Sequence, residues 1–461
     1  MSASSILAPA RVVDGMSWKR VMDHENRGVV QRADWLSTRA LGGSTVFNPV
    51  NQRIFQIPLP TYGYLDTANS YLMIDIYFTT GGATGLALGA AGAGSIVSSL
   101  TLLNSGGTPL LKVDNVNHQI ALKIAAERLE YIQGKGQQLG LGSLAQRQAV
   151  AAAANSAANA VSLQIDLSSV PIMAGDVHAP LFAQGLVIQV ELAPYAQALV
   201  TSTGTGASYS VVNPRMRSRV LSLHQDYNKA VTSKLYSGRS LLSYARQVYV
   251  QFYDQLSTSA LSQFVPLSFP VSDLHGYFFR AIRTADVNVM TSDEFSDFFF
   301  PLLSTHQGKW GTDLFPPEAV DSSRGGIDAL RLTQALFGRM DGAEDSVAFE
   351  EGNDFTNFYG GLGRNFIGAV PMYRNATASF GGGYVTDNPQ APAELDVTLS
   401  GALSSSTRLI IYYVYNVLMQ WTGASFTVIS TGVQAQLNKI KEQEASIAAQ
   451  AAVAGGAAPA A

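Results

Sequence analysis

The side chains that could do chemistry are few in this chain and badly spaced for it. Cysteine is absent, which removes thiolate nucleophiles, disulfides and cysteine-based metal sites. The six histidines are His24, His118, His178, His224, His275 and His306. No two of them lie close enough in sequence for a short metal-binding pair. Asp23-His24-Glu25 is a compact polar group that reads as a surface turn. Glu350-Glu351 and the set Asp341, Glu344 and Asp345 offer hard oxygen ligands of the kind that hold Ca²⁺ between subunits. In glycine-containing stretches they read more simply as solvated loop charge. Gly360-Gly361-Leu362-Gly363 is glycine-rich, but no strand-to-helix unit surrounds it, so a loop is expected. No Walker loop, dinucleotide fingerprint or Gly-x-Ser-x-Gly elbow occurs. Asn375-Ala376-Thr377 is a glycosylation sequon. Trp310 and Tyr359, taken as exposed loop aromatics, could stack on sugars in a glycan- or receptor-binding module. The sequence therefore nominates no catalytic residue, no cofactor-binding residue and no metal ligand, and the expectation is a protein that is not an enzyme.

Composition points the same way. Of 461 residues, 47% are hydrophobic and only 14% are charged, well under the usual quarter. A soluble monomer normally carries more charge to keep its surface wet. Low charge with abundant small polar residues suggests that much of the surface is covered by other protein. The net charge is −4 and no basic run occurs, so a polycationic arm that wraps nucleic acid by counterion release is not expected, nor direct sequence-specific nucleic-acid binding. The opening residues lack the basic and apolar regions of a signal peptide. Residues 76–111 hold no charge, but their paired glycines and hydroxyl residues favour a loop followed by a strand over a membrane span.

The elements that must carry these side chains are mostly strands. Period-two alternation and β-branched or aromatic runs predict strands at Arg53–Leu59, Ser70–Thr80, Ser95–Leu103, Leu110–Val113, Ser162–Leu167, Leu186–Leu192 and Arg219–Leu223. A second block, from near Ser240, predicts strands at Tyr244–Tyr253, Gly276–Arg283, Ile327–Phe337, Ala376–Phe380, Ala393–Leu399, Arg408–Leu418 and Ala424–Ile429. Helices are expected at His118–Gln133, in the alanine-rich residues 144–160, at Glu294–Leu303 and, as an amphipathic tail, at Val433–Gln450. About eight β segments per half suit a two-sheet sandwich made twice.

Several segments, in order, resemble the double jelly-roll major capsid proteins of tailless icosahedral DNA viruses, the group of adenovirus hexon and the nucleocytoplasmic large DNA viruses. Residues 44–78 are similar to the family's opening: STVFNP, then an alternating strand, then LDTANSYLMIDIYF. Residues 109–132 resemble its first helical excursion, and residues 162–193 the end of its first roll. Residues 379–430 carry the closest likeness, with SFGGGYVTDN before RLIIYYVYNVLMQWTGASFTVIS. The alanine-rich segment near residues 140–160 and the C-terminal tail depart from the pattern.

The resemblance implies an all-β fold: two tandem eight-stranded jelly rolls, each a β-sandwich, with helical insertions in loops. The expected organisation is an N-terminal arm at 1–42, a first roll at 43–236, a second roll at 237–431 and a C-terminal helical or disordered tail at 432–461. It implies a major capsid protein that forms a homotrimer, a pseudo-hexameric capsomer tiling an icosahedral shell. The partners implied are neighbouring capsomers, minor capsid and penton proteins and an inner membrane. The implied location is the virion, after assembly inside the host cell. The reading from another class is the spike-like glycan- or receptor-binding β-sandwich.

Overall fold

In the computed structural model the described residues are 30–126, 134–165, 167, 178–180, 185–237, 240–296, 302–322, 327–341, 367–372, 384–386, 393–422, 426–431 and 442. The first half contributes β1 (Val30–Arg39), β2 (Ile54–Pro58), β3 (Tyr64–Thr79), β4 (Val97–Asn104), β5 (Pro109–Asp114), β6 (Val161–Ile165), β7 (Leu186–Leu192) and β8 (Ser208–Leu223). They pair in the orders β1-β8-β3-β6 and β2-β7-β4-β5, all antiparallel. The second half contributes β9 (Leu241–Tyr253), β10 (Ser262–Pro266), β11 (Leu274–Arg283), β12 (Leu303–Trp310), β13 (Asp313–Asp321), β14 (Gly368–Pro371), β15 (Ala393–Leu399) and β16 (Thr407–Trp421). Their orders are β9-β16-β11-β14 and β10-β15-β12-β13. Counted within each half, both are first-eighth-third-sixth and second-seventh-fourth-fifth. That wrapping is the jelly roll, and the chain makes it twice.

Side-chain alternation explains the layers. Along β7, Leu186, Ile188, Val190 and Leu192 point into the sandwich while Val187, Gln189 and Glu191 are half-exposed. β16 instead reads RLIIYYVYNVLMQW with little alternation, because both its faces are covered. Leu409, Ile411 and Tyr413 fill the sandwich, and Ile410, Tyr412 and Val414 pack outward under helices. Pro214 stands in the middle of β8, where it cannot donate to the ladder. The register shifts between Val212 and Arg215, and Asn213 takes φ 46°, so the chain absorbs the proline as a bulge. Gly276 in β11 has φ 147°, and a Cβ there would lie 2.5 Å from the Val370 carbonyl oxygen, so a glycine is needed for β14 to approach.

Helices sit in the connections. Between β5 and β6 lie α1 (Val116–Ala126) and α2 (Leu144–Ala153), the latter opened by a Ser143–Gln146 capping box. A single turn, α3 (Tyr195–Ala198), follows β7; α4 (Gln225–Tyr236) joins the two rolls; and α5 (Ile327–Asp341) lies between β13 and β14.

The structure revises several expectations. Val30–Arg39, inside the stretch read as an arm at 1–42, is the first strand of the first roll and pairs along β8. Ile327–Phe337 is not a strand but the body of α5: Ala329, Thr333 and Leu336 recur at four- and three-residue spacing on the buried side. The expected helix at Glu294–Leu303 fails at both described ends, since 294–296 is a turn and Leu303 opens β12. The alanine-rich helix stops at Ala153, before Asn155. The glycine-rich stretch after residue 79 is loop only in part before β4, since Ala87–Leu88 pairs with Leu199–Val200 and Gly92–Ile96 forms a 3₁₀ turn, and among the described residues no helix is long and apolar enough to cross a membrane. The strand expected at Ala376–Phe380 and the helix at Val433–Gln450 lie outside the described residues, Glu442 aside.

Candidate functional site at the junction of the two rolls

Among the described residues, the largest concentration of buried charge lies where the rolls meet. From the first roll, α1 presents His118 and α2 presents Arg147. From the second, the connection between β11 and β12 presents Asp293 and Glu294, and β11 presents Arg280. All five are less than 9% exposed. Arg147 Nη1 lies 3.1 Å from Asp293 Oδ2, and also donates to the Leu88 carbonyl. Asp293 Oδ1 accepts from the backbone N–H groups of Ala90 and Phe295, both at 3.2 Å. His118 Nε2 lies 3.4 Å from Glu294 Oε1, and its Nδ1 lies 3.5 Å from Arg280 Nη2. The Arg280 guanidinium sits 4.8 Å above the Tyr412 ring.

Burial sets the protonation states. It pushes His118 below its ordinary value, so the ring is neutral near pH 7. Burial alone would raise the Glu294 carboxyl, but hydrogen bonds from His118, the Asn288 N–H and Gln197 outweigh it and hold Glu294 low. Arg280 is pushed down to about 10 by burial and remains a cation. The junction is thus one cation–carboxylate pair across the rolls, Arg147 with Asp293, and beside it a neutral His118 from the first roll set between Glu294 and Arg280 of the second. Apolar contact surrounds it. Leu241, Ala245, Met290, Phe295, Val417, Met419, Trp421 and Phe426 of the second half belong to the core of the first, and Leu122 of α1 packs with Val250 and Tyr412. The Thr201 N–H donates to the Met290 carbonyl at 2.6 Å. Ion pairs at this depth fix orientation more than they add stability.

The other buried histidines are structural as well. His306 Nδ1 stands 2.6 Å from Ser322 Oγ, and Nε2 3.3 Å from the Ala369 carbonyl. That Ser–His pair resembles half of a nucleophilic site, but the far nitrogen meets a backbone carbonyl instead of a carboxylate, and both residues are buried. Burial pushes His306 down to about 4. Asn416 Nδ2 lies 2.8 Å from both Asp273 Oδ2 and His275 Nε2, again fully enclosed. Among the described residues no group of three or more His, Asp or Glu could hold a metal ion.

Of the residues singled out by sequence, Trp310 is 4% exposed at the end of β12 and is not the sugar platform expected of it; it packs in the second roll's core beside Ala393 and Phe315. His224 caps α4. His24, Glu344, Asp345, Glu350, Glu351, Tyr359, Gly360 to Gly363 and Asn375 lie outside the described residues. Sequence reading missed Arg147, Arg280, Asp293 and Glu294. Arg280 was the one with a signal: a charge within GYFFRAIR, apolar on both strand faces, must be buried and partnered.

No protein-family model and no curated sequence matches the chain. Solved structures do. The structure of the Sputnik virophage matches at TM-score 0.55 and 12% identity, over 88% of this chain and 89% of that one. The PBCV-1 virus capsid matches at TM-score 0.53 and 11% identity, over 87% and 97%. The Faustovirus major capsid protein matches at TM-score 0.52 and 9% identity, over 91% and 97%. With both sheet orders repeated in each half and the likeness running nearly end to end, the chain has the double jelly-roll fold of viral major capsid proteins.

Proposed function

We propose that this protein is a major capsid protein, present in the virion as a homotrimer whose six rolls form a pseudo-hexameric capsomer. The observation that carries the reading is the repeated roll: two sandwiches of one strand order, joined by the buried Arg147–Asp293 ion pair and the His118–Glu294 contact, in a chain that spans capsid proteins over most of their length. A rigid pair of like units is what three copies need to tile a hexagonal lattice. An enclosed interior of structural histidines and a surface of low charge fit a role in binding rather than catalysis. Neighbouring capsomers are the first partners in this reading; minor capsid and penton proteins and an inner membrane are the further ones, reached by the arm and tail. Light scattering on the purified chain should give about three times the 49.1 kDa protomer mass, and electron microscopy should show hexagonal capsomers. A chain that stays monomeric at high concentration would overturn the proposal.

A further inference from the structure

Among the described residues, two flanks of the molecule are exposed and opposite in charge. Within the chain, the β5 and α1 flank of the first roll is covered by the β9 side of the second. The same flank of the second roll is β13 with the start of α5. There Asp313, Leu314, Glu318, Asp321 and Asp328 are all exposed. β13 reads DLFPPEAVD, three acids and no base; among the described residues, Arg331 is an exposed cation nearby in sequence, one turn on from Asp328. Pro316 and Pro317 keep this edge strand from extending a ladder onto another chain, so a partner must meet it through side chains.

The first roll's counterpart of β9 is β1. Its outward residues Trp35, Ser37 and Arg39 stand across from Arg219, Arg217 and Arg215 of β8. Two arginines of this face have aspartate partners, Arg215 with Asp75 at 3.4 Å and Arg219 with Asp66 at 3.0 Å, while Arg32 pairs with Asp34 on the other side of β1. Arg39 and Arg217 leave the face net positive on a chain whose net charge is −4. Trp35 is 54% exposed against the Tyr71 ring, and Leu314 opposite is 42% exposed.

We propose that the acidic β13 flank of one copy docks on the arginine-bearing β1–β8 flank of a second copy, with Leu314 and Trp35 at its apolar centre. This rests on the trimer reading above and names its interface. The intrachain junction joins the β5 flank of one roll to the β9 side of the next. Repeating it between chains joins a β13 flank to a β1 side, a head-to-tail contact that closes into a ring when the rotation per roll is one sixth of a turn. Opposite charge steers that contact and rejects a like-to-like pairing of two acidic or two basic flanks.

The test uses the full chain. Glu318→Arg with Asp321→Arg should raise the trimer dissociation constant at least about ten-fold, and adding Arg39→Glu with Arg217→Glu should restore it. Because the protein has no cysteine, Trp35→Cys with Leu314→Cys gives a second readout: a bismaleimide should yield covalent trimers on a denaturing gel. A wild type that is trimeric by light scattering, yet indifferent to the charge reversals and uncrosslinked, overturns this interface and leaves the trimer standing. Loss of DNA binding in the Arg39→Glu and Arg217→Glu chain, with the trimer unchanged, overturns it in favour of a nucleic-acid face. A monomeric wild type instead overturns the trimer itself.

Discussion

Replacing Arg147 by methionine isolates the charge pair that joins the rolls. Methionine fills much of the arginine stem's volume, so the change mainly strips Asp293 of its cation at a site where both side chains are under 9% exposed. Breaking a buried pair costs about 3–5 kcal/mol. The lower end applies here, because Asp293 keeps two backbone N–H donors, from Ala90 and Phe295. The effect on melting depends on how much of the chain unfolds together. Unfolding entropy is about 2.1 cal/mol/K per residue, so a loss of about 3 kcal/mol lowers the Tm of a cooperative 461-residue unit by about 3 °C. A roll of about half that length melting alone would drop by about 6 °C. Calorimetry distinguishes the two: the fused cores of the rolls call for one transition and the smaller shift. Asp293→Asn alone should cost a similar amount, by leaving Arg147 buried without its anion. The double variant should recover most of the loss, since neither charge is then stranded. A single variant with an unchanged Tm, or a double variant as unstable as the sum of the singles, would refute the account of the junction.

Two further outcomes follow from the buried groups. His306 is neutral in the fold with its value pushed down to about 4, against 6.5 when unfolded. Between those values the unfolded chain binds a proton that the fold refuses, so the His306 contribution to stability is complete above pH 6.5 and falls by about 3 kcal/mol as the pH drops to 4; urea midpoints across that range should show the slope, and His306→Gln should reduce it to the part left by His118. Trp310→Ala should lower stability by about 3–5 kcal/mol because the ring is enclosed at the end of β12, whereas a surface residue stacking on sugars would leave the denaturation midpoint unchanged.

The strands were legible where local pattern and final environment agree. Leu186–Leu192 alternates because one face of β7 meets the core and the other is half-exposed, and its bounds follow from the sequence alone. Arg408–Leu418 stands out by its aromatic and aliphatic density, which reflects coverage on both faces. Ile327–Phe337 misled because its leucines and isoleucine satisfy either period over a short window, and only packing of Ala329, Thr333 and Leu336 beneath the outer face of the sheet selects the helix. β1 escaped notice for a different reason. Val-Gln-Arg-Ala-Asp-Trp-Leu-Ser-Thr-Arg carries an outward row of polar and charged residues on an edge strand, so it looks like a solvated arm. The junction was not legible because its polar contacts join residues 146 apart, the ion pair of Arg147 with Asp293, and 176 apart, His118 with Glu294. No local rule brings such positions together; only the stacking of one roll's helices on the other's connections does.

The two rolls share a strand order but not a surface, and the difference bears on assembly. In the second roll the outer face of the β9-β16-β11-β14 sheet is apolar: Val250, Phe278, Ile282, Ala369, Ile410, Tyr412 and Val414 lie under α5 on one side and Leu122 of α1 on the other. In the first roll the same face, on β1-β8-β3-β6, carries Arg39, Arg215, Arg217, Arg219 and Asp75, half-exposed or exposed. Two rolls built to stand alone would each bury this face with their own helices. Here the second roll borrows α1 from the first, which leaves, among the described residues, one covered and one exposed face. An open face of mixed charge around Trp35 is stable in water, so the monomer does not need a partner to fold. It also offers directional ion pairs that a neighbour's β13 acids can satisfy, so association can follow folding as a separate, salt-sensitive step. A protomer whose assembly weakens as salt rises, while its melting temperature stays fixed, is what this division of the two faces requires.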